Sequence, residues 1–282
     1  MTTLRTDTVS PAHHQPATEP VQAFGSLLRQ WRQRRRLSQL DLALEAGISS
    51  RHLSFVETGK SLPSRAMVLR LAECLEVPLR EQNLMLLAAG YAPAFPERPF
   101  EAPSLASARR AVETVLAAHE PFPALAVDRH WTMVAANRAV APLLAGVEPA
   151  LLAAPCNVLR LSLHPGGLQR RIRNLAAWRA HLLARLHRQV EATADPVLAA
   201  LIEELRAYPV PRGVPGRAAA CEDGDVCVPL VLDTPHGVLS FLSTTTVFGT
   251  PVDVTLSEIA VEAFFPADGE TADALRAIAV AT

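Results

Sequence analysis

Residues 36–60, RLSQLDLALEAGISSRHLSFVETGK, decide how this chain is read. Ser38 stands where a hydroxyl accepts from the first N–H groups of a helix, and Leu40, Ala43 and Leu44 follow on one face at helical spacing. Gly47 ends that helix, because glycine takes the left-handed conformation that turns a chain sharply. Ser49 or Ser50 then caps a second short helix, expected to bury Leu53, Val56 and Ile48. Its opposite face holds Arg51, Ser54, Phe55 and Thr58, since 51 and 55, and 54 and 58, are each four apart.

Two short helices across so tight a turn, the second with a basic, hydroxyl-bearing outer face, suit insertion into a DNA major groove. Working outward, Ser38-Gln39, Ala43, Gly47-Ile48-Ser49, Leu53, Glu57-Thr58-Gly59-Lys60, Pro63-Ser64, Leu69 and Leu71-Ala72 recur at fixed spacing. With them the stretch from about Phe24 to Ala92 resembles a Cro-type, XRE-family helix-turn-helix domain. The resemblance implies an all-α bundle of five helices over 24–35, 38–46, 50–58, 64–75 and 79–89, and a structural pair between Arg32 and Glu57. It also implies that Gln39 touches phosphate and that Ser50, Arg51 and Phe55 face base edges. Ser49, Thr58, Lys60 and Arg65 would position the duplex backbone, with Ser54 on the same outer face. Arg51 suits the O6/N7 edge of guanine and Phe55 a thymine methyl; many relatives carry a polar residue in place of Phe55.

Charge is distributed to match. Residues 21–98 carry 11 Lys+Arg against 7 Asp+Glu, whereas residues 99–282 carry 15 against 19, so the net charge of -1 conceals a basic N-terminal part. Arg32, Arg34, Arg35 and Arg36 form its densest cluster and are candidates for further phosphate contacts.

At 282 residues and 49% hydrophobic composition the chain can fill two cores. Residues 1–20 have no apolar periodicity and read as a disordered tail without the apolar core of a signal peptide. No stretch approaches the roughly twenty apolar residues that span a bilayer, so a soluble, cytoplasmic protein with no membrane partner is expected. Cys74, Cys156, Cys221 and Cys227 lack C-x-x-C spacing, and His181 and His187 are six apart on different helix faces. No metal site, cofactor or disulfide is expected, and a redox pair of Cys221 with Cys227 is a minor alternative.

The prolines at 93, 96 and 99 mark a linker over 93–103 between a DNA-binding domain at 21–92 and a second domain at 104–282. Beyond it, 104–119 reads as an amphipathic helix. Short apolar runs at 124–127 and 132–135 flank a hairpin turn, and Asn137 can cap a helix through Leu144. Leu159–Leu163, 168–190 and 195–208 read as helical, and Pro209, Pro211, Gly213, Pro215 and Gly216 as a loop. Strands at 225–232, 238–247 and 259–265 and a helix after Ala267 complete an α+β domain: a five-stranded antiparallel sheet with inserted helices, one face covered.

This half resembles the PAS-like ligand-binding domain of MmyB-type regulators, in Val127-Asp128-Arg129-His130-Trp131 with Ala136-Asn137-Arg138-Ala139, Asn157-Val158-Leu159-Arg160-Leu161, Thr245-Thr246-Val247-Phe248-Gly249-Thr250-Pro251 and Glu262-Ala263-Phe264-Phe265-Pro266-Ala267-Asp268. The resemblance implies a dimeric transcription factor that binds an inverted repeat of double-stranded DNA and a small lipid-like effector of the fatty-acid type. Leu159, Leu161, Trp178, Leu182, Leu186, Leu230 and Phe241 are candidates to line its cavity, with Arg160 or Arg179 for a carboxylate. Enzyme readings lack parts: there is no G-x-S-x-G elbow, P-loop, G-x-G-x-x-G or H-E-x-x-H, and His164 before Pro165-Gly166-Gly167 reads as a turn. The alternatives are a second domain that only dimerises, and one with acyl- or ester-directed activity.

Overall fold

The computed structural model describes residues 24–210, 228–249 and 253–281. The expected tail, the loop from Pro211 to Gly216, Cys221, Cys227, the first residues of the strand expected from Asp225, and Thr250-Pro251 lie outside the described residues.

The chain divides into two compact units, one of residues up to 76 with 84–92, the other of residues 77–83 and 93 onward. The N-terminal helices are α1 (Phe24–Arg34), α2 (Gln39–Glu45), α3 (Ser50–Glu57), α4 (Arg65–Cys74) and α5 (Leu79–Ala88), the last shared between the units. Each of three helices begins at a serine. Ser38 accepts from the Asp41 amide while Asp41 accepts from the Ser38 amide, Ser49 accepts from His52, and Ser64 from Met67. Gly47 has φ +63°, the left-handed turn that its position demands.

The buried face of α2 is Leu42 and Ala43, with Ala46 just beyond; Leu40 and Leu44, expected inside, are 57% and 70% exposed. Both sets have helical spacing, and the docking of α2 on α3 selects the one facing Leu53 and Val56. Ile48 is half-buried. At Gly25 a Cβ would collide with the backbone carbonyl oxygens of Val56 and Glu57, so α1 reaches the backbone of α3 only because this residue has no side chain.

The second unit runs α6 (Ala106–Ala118), β1 (Ala124–Val127), β2 (Met133–Ala136), α7 (Pro149–Leu152), α8 (Val158–Leu163), α9 (Leu175–Thr193), α10 (Pro196–Ala207), β3 (Leu230–Thr234), β4 (Gly237–Val247), α11 (Val254–Ser257), β5 (Ala260–Pro266) and α12 (Gly269–Ala281). All strand pairs are antiparallel, in the order β2-β1-β5-β4-β3, which puts the last strand in the middle. Four expectations change. The sheet is covered on both faces: Leu125, Val127, Leu239 and Phe241 join the core of α8, α9 and α10, whereas Ala124, Ala126 and Val261 pack with Val112 and Leu116 of α6. The segment after Asn137 is a 3-10 helix over Arg138–Leu144. Asn137 makes no cap there; its side chain accepts from the Ala124 amide and donates to the carbonyls of Leu116 and Phe122, tying α6 to β1. Residues 93–103 pack within this unit rather than bridging it, because Asn83 holds Ala94 and Phe95 and Phe100 is buried.

Among the described residues, no helix is long and apolar enough to cross a membrane.

Candidate DNA-reading face and ligand cavity

The outer face of α3 is carried on a buried ion pair. Arg32 Nε and Nη2 donate to the Glu57 carboxylate at 2.6 and 3.0 Å, its Nη1 donates to the Leu37 carbonyl at 2.8 Å, and Gln39 Nε2 donates to Glu57 at 2.8 Å. Burial pushes the Glu57 carboxyl up, but the hydrogen bonds from Arg32 and Gln39 and the charge of Arg32 outweigh it and hold the group below its ordinary range. The end of α3 is thereby fixed to α1 and α2.

On that face Ser50, Arg51, Thr58 and Lys60 are exposed, and Ser54 and Phe55 half-exposed. Arg51 and Lys60 flank the Phe55 ring, their cationic groups 5.4 and 5.9 Å from its centre. The aromatic ring therefore braces two cations as well as presenting an apolar edge. Two expected phosphate donors are committed elsewhere: Gln39 gives an N–H to Glu57, and the Thr58 hydroxyl donates to the Ser54 carbonyl at 2.7 Å. Ser49 uses its oxygen as a cap and keeps its proton. Arg65 is exposed at the start of α4. Two of the four clustered arginines are structural, and Arg34 and Arg36 are exposed. Arg32 is buried, and Arg35 donates to the carbonyls of Leu75 and Glu76 at the end of α4.

In the second unit, α8 and α9 and the sheet line a partly open cavity of about 100 Å³. Leu159, Leu161, Trp178, Leu182, Leu230 and Phe241 line it, with Trp131, Arg185 and Glu262. Trp178 Nε1 donates to Ser162 Oγ at 2.9 Å, so the indole presents carbon inward with its polar group satisfied. Arg185 donates to both Glu262 oxygens at 2.9 and 2.6 Å and to Thr245 Oγ1 at 2.6 Å, and its guanidinium lies 4.5 Å over the Trp131 ring. Trp131 in turn donates to Gln189 at 2.8 Å.

Residues 108–278 match the family model described as MmyB-like transcription regulator ligand binding domain. The chain belongs to that family. Residues 28–82 match the helix-turn-helix model, and the two matches together make the protein a helix-turn-helix transcription regulator with a ligand-binding domain. It is 45% identical over 80 residues to the uncharacterized HTH-type transcriptional regulator RghRB of Bacillus subtilis (strain 168), a match over 28% of this chain and 55% of that protein. The chain thus spans about half the length of this curated relative.

Within the MmyB-like domain, three residues expected at the cavity lie elsewhere. Leu186 is fully buried one turn from it among the core side chains. Arg160 pairs with Glu204 through two bonds of 2.7 Å, and Arg179 donates to the carbonyls of Leu205, Arg206 and Tyr208, closing the end of α10. Hydrogen bonding to Arg160 holds the Glu204 carboxyl low, while burial and the bond to Glu204 push the Tyr208 hydroxyl up to about 12. His164 Nδ1 accepts from the Gly166 amide and so holds its own turn. His181 stacks on Trp178, and His187 Nε2 meets Arg206. Among the described residues, no group of three or more His, Cys, Asp or Glu is arranged to hold a metal, and burial raises the thiol of Cys156.

The cation that lines the cavity is Arg185. Its signal in the sequence was spacing: Trp178, Leu182, Arg185 and Gln189 fall on one helical stripe, so a charged side chain stood on the apolar face. Glu262 shares a face of β5 with the apolar Ala260 and Phe264 and stood out in the same way.

Proposed function

We propose that this regulator reads an inverted repeat of double-stranded DNA as a homodimer through α3, and that its second unit is a PAS-like sensor for a small lipid-like effector with a fatty-acid-type chain. The apolar cavity of the MmyB-like domain is the observation that carries the reading. Its walls are mostly apolar side chains, which suit a hydrocarbon segment better than a polar metabolite. Ser50, Arg51 and Phe55 would meet base edges, and Ser49, Ser54, Lys60 and Arg65 the backbone. Gln39 and Thr58 contribute there only with their remaining hydrogen-bonding capacity.

Native mass spectrometry of the purified full chain, followed by denaturing extraction, tests the sensor. A dimer mass with a released amphiphile is expected. A bare protein mass, together with no thermal shift on adding C8–C14 amphiphiles, would leave the second unit as a dimerisation domain only.

A further inference from the structure

Residues 77–83 belong to the second unit, where Arg80 and Glu81 wall a further cavity together with Arg129, the end of α9 and the Ser257–Ala260 corner. Its volume is about 430 Å³, and none of its lining residues lines the apolar cavity beside α8 and α9. Most of its polar side chains are already engaged. Glu258 takes Arg80 Nε and Nη2 at 2.8 and 2.9 Å, one on each oxygen. Asp195 accepts from the Val197 amide at 2.8 Å and pairs with His130 Nε2 at 2.9 Å. Gln189 bonds Trp131 and the Arg129 carbonyl, the Thr193 hydroxyl donates to the Gln189 carbonyl, and the Ser257 hydroxyl donates to the Val254 carbonyl.

Two groups of opposite charge are left. The Arg129 guanidinium makes no hydrogen bond among the described residues; carboxylate oxygens of Asp195 and Glu258 lie 3.6 and 4.0 Å away, beyond hydrogen-bond reach. Glu81 makes neither a hydrogen bond nor an ion pair among the described residues, and burial pushes its carboxyl above the ordinary range against the opposing charges of Arg129 and Arg80. Arg129 and Glu81 thus line one space without reaching each other.

We propose that this cavity binds a small zwitterion of the α-amino-acid class, with its carboxylate on Arg129, its ammonium on Glu81 and an apolar side chain against Val77, Leu198 and Ile259. The site goes beyond the lipid-sensor reading, and either can fail without the other. A guanidinium matches a carboxylate with two parallel N–H donors, and an ammonium supplies the donors that Glu81 lacks. A molecule with both charges adds no net charge to a space that already holds fixed ions. One with a carboxylate alone meets Glu81, Asp195 and Glu258, and one with an ammonium alone leaves Arg129 unpartnered beside a like charge. At roughly 30 Å³ per water-sized group, the cavity has room for a molecule of about ten non-hydrogen atoms.

The test titrates the full-length protein at neutral pH with L-leucine, 4-methylpentanoate and 3-methylbutylamine, followed by saturation-transfer NMR. The three share one branched alkyl end and carry both charges, the anion alone and the cation alone. Leucine is expected to bind at least about tenfold tighter than either half-molecule. Arg129→Gln should weaken leucine and the acid at least about tenfold and leave the amine within about threefold; Glu81→Gln should weaken leucine and the amine without weakening the acid. A merely destabilised domain would lose all three together. The wild-type comparison stands whether or not either variant folds. No leucine binding up to about 10 mM, either half-molecule binding as tightly as leucine, or a common response of both halves to the two substitutions would overturn the site.

Discussion

Glu57 is the residue on which the orientation of α3 turns. Removing its charge leaves Arg32, 9% exposed, without its partner, and breaking a buried pair costs about 3 kcal/mol. Because the folded-state carboxyl is held below its ordinary value, the stabilisation is complete above the unfolded value of about 4.3 and is lost as pH falls through the folded one. Thermal unfolding of the full chain followed by far-UV circular dichroism from pH 7 to pH 3 should show this acid loss, and Glu57→Gln should be less stable at pH 7 with a flatter acid limb. Gly25→Ala is expected to destabilise by about 2 kcal/mol, because the new methyl meets backbone carbonyls that no rotamer can move. The same optical melt measures it, and an unchanged midpoint would mean that α1 and α3 separate freely. Arg51→Ala should weaken operator binding by about 1 to 3 kcal/mol in a footprinting titration if Arg51 reads a base.

At the scale of elements, α9 ends at Ala194 with φ +61°, a left-handed C-cap that burdens a residue with a Cβ. Ala194→Gly should therefore stabilise the protein by about 0.5 to 1 kcal/mol, seen as a rise of about 2 °C in calorimetry. Elements of this kind are also where the sequence was most and least legible. Helices α2 and α3 could be placed because serine caps and a glycine turn are local chemistry, written in three or four adjacent residues, whereas α4 came only with the family resemblance. The five strands emerged from short apolar and β-branched runs between turn signals, but the order that centres β5 did not, since pairing is decided by long-range contact. The faces were harder. Leu40 and Leu44 share helical spacing with one another just as Leu42, Ala43 and Ala46 do, and only the packing of α2 chooses between them. Arg160 and Arg179 are expected as the cavity's cation and Arg185 is missed, because an arginine beside apolar residues has the same local signature whether it caps α10, pairs with Glu204 or lines a cavity.

For the whole molecule, the question is whether occupancy of the cavity alters the hold on DNA. The basic N-terminal part supplies an electrostatic term that does not depend on the effector, so Lys60→Ala should lower the salt dependence of operator affinity by about one unit of slope while weakening all sequences alike. The effector's influence is a separate quantity. A ligand shifts the balance between two arrangements only by its unequal affinity for them, and the coupling is reciprocal. The operator dissociation constant measured with and without a saturating C8–C14 amphiphile should differ by roughly 5- to 150-fold, and the amphiphile's constant with and without operator should differ by that same factor. In Arg51→Ala both constants should still move together, because a base contact sets affinity and not the balance between arrangements. A factor of one in the wild type, with the amphiphile demonstrably bound, would make the apolar cavity a structural lipid site and detach it from regulation.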